Sequence, residues 1–167
     1  MKRRARIAGN ILIILLILVA SAIVTIRILV RPATTDFIDF AEVKRSASGN
    51  DALACPPEFL CSARVDLMIA PVAMSAAALA AKVKELPNVE PRSVMVGEND
   101  AEFRYVLVQR SALFNLPDTI NIAIQPLDAT HAALAIYSRS RYGKSDLGVN
   151  MKRVQRWLDL LGVAVVS

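Results

Sequence analysis

Between Tyr137 and Arg153 the chain reads Tyr-Ser-Arg-Ser-Arg-Tyr-Gly-Lys-Ser-Asp-Leu-Gly-Val-Asn-Met-Lys-Arg, its densest run of side chains able to do chemistry. Six basic residues from Arg139 to Arg156 stand against one acid, Asp146. Together with Arg110 and Asp118 from an earlier segment, this run supports two readings. In the first it braces the fold. Gly143 and Gly148 turn the chain from strand to helix, Ser145 or Asp146 caps the helix, Asn150 bonds turn backbone, and Arg139 and Arg141 pair with Asp118 or Asp146. In the second, Arg110, Arg139, Arg141, Lys144 and Arg153 converge beside a helix N-terminus and hold an anionic headgroup, carboxylate or phosphate. Guanidinium forks and orphan helix N–H groups both favour such a ligand.

Other chemistries find less support. Gly143-Lys144-Ser145 imitates the end of a phosphate-binding P-loop, but the position that needs glycine, five before Gly143, is Ser138. The chain has no G-x-S-x-G elbow, H-E-x-x-H pair or EF-hand loop. His131 is the single histidine and reads as a strand-start residue; pairing it with a cysteine nucleophile would need a free thiol. Asp118 and Asp146 could form an acid–base pair, but among so many arginines they read as salt-bridged carboxylates with lowered pKa. Tyr137 and Trp157 read as packing residues. No catalytic residue, metal site or cofactor is implied, and a hydrolase-like enzyme built on Asp118 or Asp146 is the least favoured reading.

The elements that must position these residues follow from apolar periodicity. Val65 to Ala70 predicts a strand, and Ser75 caps an Ala-rich helix with Leu79, Val83 and Leu86 on one face, stopped by Pro87. Val89 to Val96 predicts a second strand and Glu98-Asn99-Asp100 a turn. Three longer strands follow, around Phe103–Val108, Thr119–Gln125 and His131–Arg139, each alternating an apolar with a mixed face. A last helix begins near Ser145 or Asp146, with Leu147, Met151, Val154, Leu158 and Leu161 as its apolar stripe and Lys152, Arg156 and Asp159 pointing away. A short strand at Val163–Val166 is compatible with the pattern. Strand, helix, four strands, helix gives an α+β fold of two layers, an antiparallel sheet with helices on one face, whose connectivity resembles that of TATA-binding-protein half-domains.

The N-terminus sets location. Lys2, Arg3, Arg4 and Arg6 form a basic cytoplasmic tail (residues 1–6), followed by an uncharged stretch from Ile7 to Ile26 in which thirteen residues are Ile, Leu or Val. At 1.5 Å rise per residue these twenty residues span about 30 Å, the hydrocarbon thickness of a bilayer. The anchor is assigned to residues 7–30. Four basic residues precede the uncharged stretch and only Arg27 and Arg31 closely follow it, so the positive-inside bias keeps the N-terminus in the cytoplasm. A cleaved signal peptide ending at Ala20-Ser21-Ala22 is the rival reading, and it exports the same domain. Six of the 20 Lys and Arg precede residue 32, leaving 14 against 15 Asp and Glu. The exported part is therefore near neutral, and nucleic acid loses its electrostatic case as a partner.

Residues 31–63 read as a linker, mostly loop, whose Phe37, Ile38, Phe40 and Val43 are too apolar for a plain spacer and either pack on the domain or sit in the membrane interface, and 64–167 as the exported domain. The linker closes on Cys55-Pro-Pro-Glu-Phe-Leu-Cys61. In an oxidising compartment a Cys55–Cys61 disulfide is the leading reading, with free thiols as the alternative.

Two elements carry a family likeness. Ser138 to Arg153 matches the form S-R-S-R-x-G-x-x-D-x-G-V-N-x-x-R, and Arg110 to Asp118 matches R-S-x-L-F-x-x-x-D. On these, the chain resembles the bacterial and plastid family of domain of unknown function 1499 (DUF1499), over roughly residues 50 to 162. The Cys-Pro-x4-Cys element is similar too, although Phe59-Leu60 stand where that family often has Pro-Asn. The resemblance implies membership and no particular reaction. The expectation is a single-pass protein of a bacterial cytoplasmic membrane whose C-terminal domain lies in the periplasm. That domain would be a non-enzymatic module binding an envelope protein or other envelope component through its mixed sheet face and basic corner, or else a carrier of a lipid or apolar anionic small molecule.

Overall fold

The computed structural model describes residues 2–29, 35–59 and 61–166. Val30, at the end of the expected anchor, and residues 31–34, at the start of the expected linker, lie outside them. The elements in chain order are α1 (Lys2–Leu29), β1 (Asp51–Cys55), β2 (Leu67–Met68), α2 (Ala76–Val89), β3 (Ser93–Asn99), β4 (Arg104–Arg110), β5 (Pro117–Pro126), β6 (Ala132–Ser140) and α3 (Val149–Leu161). Within α1, the stretch Gly9–Ile28 is long and apolar enough to cross a membrane, and none of it is buried by the rest of the chain. An N-terminal helix of this kind also suits a signal sequence.

The sheet has six strands in the order β2-β1-β6-β5-β4-β3. β3 to β6 form an antiparallel meander, β1 is antiparallel to β6, and β2 runs parallel to β1, so the sheet is mixed. A bulge between Met95 and Gly97 breaks the register of the β3 edge. At the opposite edge the C-terminal tail lies against β2: Val166 N–H donates to Met68 O at 2.8 Å, and Ile69 bridges Val165.

The main core forms where α2 and α3 cover one face. Leu79, Val83 and Leu86 of α2 and Val154, Trp157, Leu158 and Leu161 of α3 pack with Tyr105, Leu107, Ile120, Ile122, Leu134 and Ile136 of the sheet. Ser75 caps α2 as expected, its Oγ accepting from Ala78 N–H at 3.3 Å. Pro87 does not stop the helix but sits inside its last turn. Its missing N–H removes only one bond there, and the chain closes with Glu90 N–H on Leu86 O at 2.9 Å.

Besides Pro87 and the second strand, which the longer α2 delays from Val89 to Ser93 and which takes in Glu98 and Asn99 of the expected turn, three expectations need correction. First, the linker is not loop throughout, because Asp51–Cys55 is a buried strand between β2 and β6. Its apolar residues are small apart from Leu53: Ala52 and Ala54 face the helices, while Leu53 and Cys55 face the other side. Small side chains suffice for a strand buried on both faces, and they leave little amphipathic signal. Second, the mixed sheet face is not open. Phe40 and Val43 pack there on Leu53, Ala123, Ala135 and Tyr137. Ile38 N–H donates to Asn121 Oδ1 at 3.2 Å, and Arg104 donates to Ile38 O. Gly97 permits the approach of this segment, since a Cβ would meet Phe37 Cζ and Thr35 O at 3.3 Å. Third, α3 begins at Val149, later than Ser145 or Asp146, because Leu147 (φ 53°) and Gly148 (φ 77°) are both left-handed. Leu147 consequently leaves the apolar stripe and is 88% exposed.

Cys55 and Cys61 form a disulfide, with Cα atoms 6.7 Å apart. Closing so short a loop restricts the unfolded chain only modestly. Replacing both cysteines by alanine is therefore expected to cost roughly 2 kcal/mol. A melting temperature that does not fall in the double variant would contradict this.

Candidate functional site

At the N-terminal end of α3 the helix turns Asn150 and Arg153 toward the sheet, both buried. Arg153 donates through Nε to Gln109 Oε1, through Nη1 to Ser138 Oγ at 2.9 Å and Asn150 Oδ1 at 2.6 Å, and through Nη2 to Asp118 at 2.6 Å. Asn150 Nδ2 lies 2.9 Å from Asn50 O, 2.8 Å from Ser140 Oγ and 2.7 Å from Asp146 Oδ2. Asn50 in turn donates to Gly143 O at 2.9 Å. This network joins α3, β4, β5, β6 and the approach to β1, so Asn150 and Arg153 lock the helix onto four neighbouring segments. Buried polar groups satisfied in this way specify one packing arrangement.

Asp146 acts just outside the helix. Its Oδ1 accepts from Gly148 N–H at 3.0 Å and its Oδ2 from Asn150 N–H at 2.8 Å, which is capping work performed two positions before the Gly148 N-cap. Asp118 pairs with Arg153, not with Arg139 or Arg141 as the brace reading proposed.

The five cations expected to converge do not all do so. Ser138 and Ser140 face the helices, so strand alternation sends Arg139 to the opposite side, where it lines a shallow hollow with Asp39, Glu42 and Lys44. Arg141 and Lys144 are exposed on the loop before α3. Arg110 and Arg153 remain together, and two arginines not expected at the site join them. Arg156, read as pointing away, pairs with Glu90 through Nε at 2.7 Å, and Arg92 donates through Nε to Arg110 O at 3.0 Å. No local motif marks Arg92. Only the β3–β4 pairing reveals it, with Arg110 N–H returning a bond to Arg92 O at 3.0 Å.

These groups surround an open cleft of about 600 Å³ at one end of the sheet, lined by Glu90, Arg92, Arg110, Asp118, Arg153 and Arg156. Its charge is unevenly satisfied. Asp118 is held by Arg153, and Glu90 by Arg156 and Gln109. Among the described residues Arg110 makes one side-chain bond, from Nη1 to Asn115 O at 3.1 Å, and Arg92 only its bond to Arg110 O. Among the described residues neither Arg92 nor Arg110 has a carboxylate partner.

On the covered face of the sheet, Asp51 accepts from Arg45 at 2.7 Å, from Ser46 N–H at 2.6 Å and from Tyr137 OH at 2.7 Å. Asp51, Glu90 and Asp146 share one electrostatic pattern. Burial by itself would raise each pKa, but donors outweigh it and lower all three: Arg45, Ser46 and Tyr137 for Asp51, Arg156 and Gln109 for Glu90, and Asn150 and Gly148 for Asp146. A carboxylate whose folded pKa lies below its unfolded one adds stability that is complete above about pH 5 and lost as pH falls through the unfolded and then the folded value. The urea midpoint is thus expected to hold from neutrality to about pH 5 and to fall in stronger acid. Asp51→Asn should flatten that fall; an unchanged acid limb would refute this assignment.

His131 sits on the β5–β6 turn, its Nδ1 3.0 Å from Asp128, and the disulfide removes both thiols from any nucleophile role. Trp157 is fully buried as packing. Among the described residues no group of three or more His, Cys, Asp or Glu is placed to hold a metal ion.

Neither the curated proteins nor the solved structures contain a match to this chain. The family model described as protein of unknown function (DUF1499) matches residues 41–161, from the segment before β1 to the end of α3, and it encloses the buried network and the cleft. The chain belongs to that family.

Proposed function

We propose that this chain is a membrane-tethered, non-enzymatic binding module. Helix α1 is its single span in a bacterial cytoplasmic membrane, the N-terminus lies in the cytoplasm and the folded domain in the periplasm. It binds an anionic protein or other envelope component through the cleft between the ends of α2, α3 and the β4–β5 connection. One observation carries this reading: each acid in the cleft is held by its own arginine, while Arg92 and Arg110 are left over as positive charge at an open surface. The carboxylates that could serve an acid–base mechanism are instead engaged in holding α3. The mixed sheet face is covered by Phe40 and Val43, and the helices pack directly on the other face, which moves the expected contact from the mixed face to this cleft.

The test is photo-crosslinking in cells from a photoreactive residue at Ala112, on the cleft wall. We expect an adduct that disappears when Arg92 and Arg110 are both changed to Glu. No adduct from a folded, membrane-inserted protein would remove the reading.

A further inference from the structure

Resting on that reading, we infer that the anionic group taken by the cleft is the phosphate of an acidic phospholipid in the membrane to which the domain is tethered.

Three independent features point to this ligand. The first is position. Arg27 is one residue from the end of the Gly9–Ile28 stretch, and it donates through Nε to Leu113 O at 3.0 Å and through Nη2 to Ala112 O at 2.9 Å. The loop it grips forms one wall of the cleft, to which Ser111 and Ala112 contribute. With α1 spanning the hydrocarbon core, a loop bonded to the residue at its boundary lies in the headgroup layer, which is about 5–8 Å deep. Lipid phosphates occupy that depth.

The second is chemistry. Among the described residues the guanidinium of Arg92 uses only its Nε, and that of Arg110 only its Nη1, so both keep donors in fork geometry for phosphate oxygens. The carboxylates that face them from neighbouring elements, Glu90 and Asp118, are occupied by Arg156 and Arg153. An added phosphate would therefore meet uncompensated charge without displacing an existing ion pair.

The third is the apolar rim. Val89 and Val149 line the cleft and are 60% and 47% exposed, and Leu113, on the loop gripped by Arg27, is 55% exposed. Cations and exposed aliphatic groups lining one cleft match the junction between a lipid's phosphate and its acyl chains. A small soluble phosphate would use the arginines and leave the rim idle.

The experiment uses the full-length chain, delipidated in an uncharged detergent and titrated with phosphatidylglycerol or phosphatidylcholine under native mass spectrometry. We expect phosphatidylglycerol to be retained about tenfold better, as charge-assisted pairing without a competing choline predicts. Arg92→Gln with Arg110→Gln should reduce retention to the phosphatidylcholine level, and the two Lys replacements should recover part of it. Matching thermal unfolding curves confirm that the variants fold. Equal retention of the two lipids, or Gln variants that bind like the parent, overturns the inference. Displacement of phosphatidylglycerol by equimolar inorganic phosphate also overturns it, in favour of a soluble ligand. If the lipids prove equivalent while the Ala112 adduct still forms and depends on charge, the lipid assignment falls and the binding-module reading stands. If the adduct is absent as well, both fall.

Discussion

Arg153→Met is expected to lower the stability of the domain by about 3–5 kcal/mol, the usual cost of removing one partner from a buried ion pair. Methionine keeps much of the aliphatic volume, so the loss falls on the polar atoms. Asp118, Gln109, Ser138 and Asn150 would all lose the donor that now serves them. Arg153 is only 4% exposed, so water cannot replace it without opening the α3–sheet contact. Against a typical total of roughly 5–15 kcal/mol, such a change leaves a marginal domain. Urea unfolding of the parent and variant measures it directly. Adding Asp118→Asn to Arg153→Met should cost much less than the same change in the parent, since the carboxylate is then already unpaired. A loss below 1 kcal/mol would show that the network does not brace the fold.

The second large effect concerns where the folding unit begins. A fragment of residues 64–167, the domain that hydropathy alone would delimit, is expected not to fold, whereas residues 35–167 should unfold cooperatively. Starting at 64 removes β1, which pairs with β6 from Asp51↔Arg139 to Ala54↔Ile136 and fills both faces with Ala52, Leu53 and Ala54. It also deletes Phe40 and Val43 from the covered face, and the Asn50 carbonyl that accepts from Asn150. Far-ultraviolet circular dichroism and amide chemical-shift dispersion of the two fragments separate the outcomes. A folded 64–167 fragment would mean that β1 is an accessory strand.

What the sequence made legible, and what it concealed, has physical reasons. Helix α2 and strands β4 to β6 were readable because each buries one face over several residues, so large apolar side chains recur at a fixed period. β1 was hidden because it is buried on both sides among close neighbours, where alanine fits better than a larger residue and no alternation results. Coverage of the second face was legible only in part: Ile38, Phe40 and Val43 are too apolar for a plain spacer, but they lie in irregular chain and their apolar character names no partner. In the polar cluster, Asp118, Asn150 and Arg153 fall into one buried network, and the divergence of Arg139 from Ser138 was already implicit in the two-residue period of a strand. Arg92 could not be found that way. It reaches Arg110 only through the pairing of two strands.

The two margins of the sheet, one blunted by the C-terminal tail along β2 and the other kinked at Met95–Gly97, bear on how many copies could share a membrane under the proposed tethering. Proteins confined to a surface meet in two dimensions, always at similar height and with restricted tumbling. Those conditions favour edge-to-edge strand addition wherever a straight, unpaired margin is presented. Neither margin here is such a template. With α1 retained as the proposed anchor, the domain can therefore be packed densely along a bilayer without its sheets joining into a continuous ribbon.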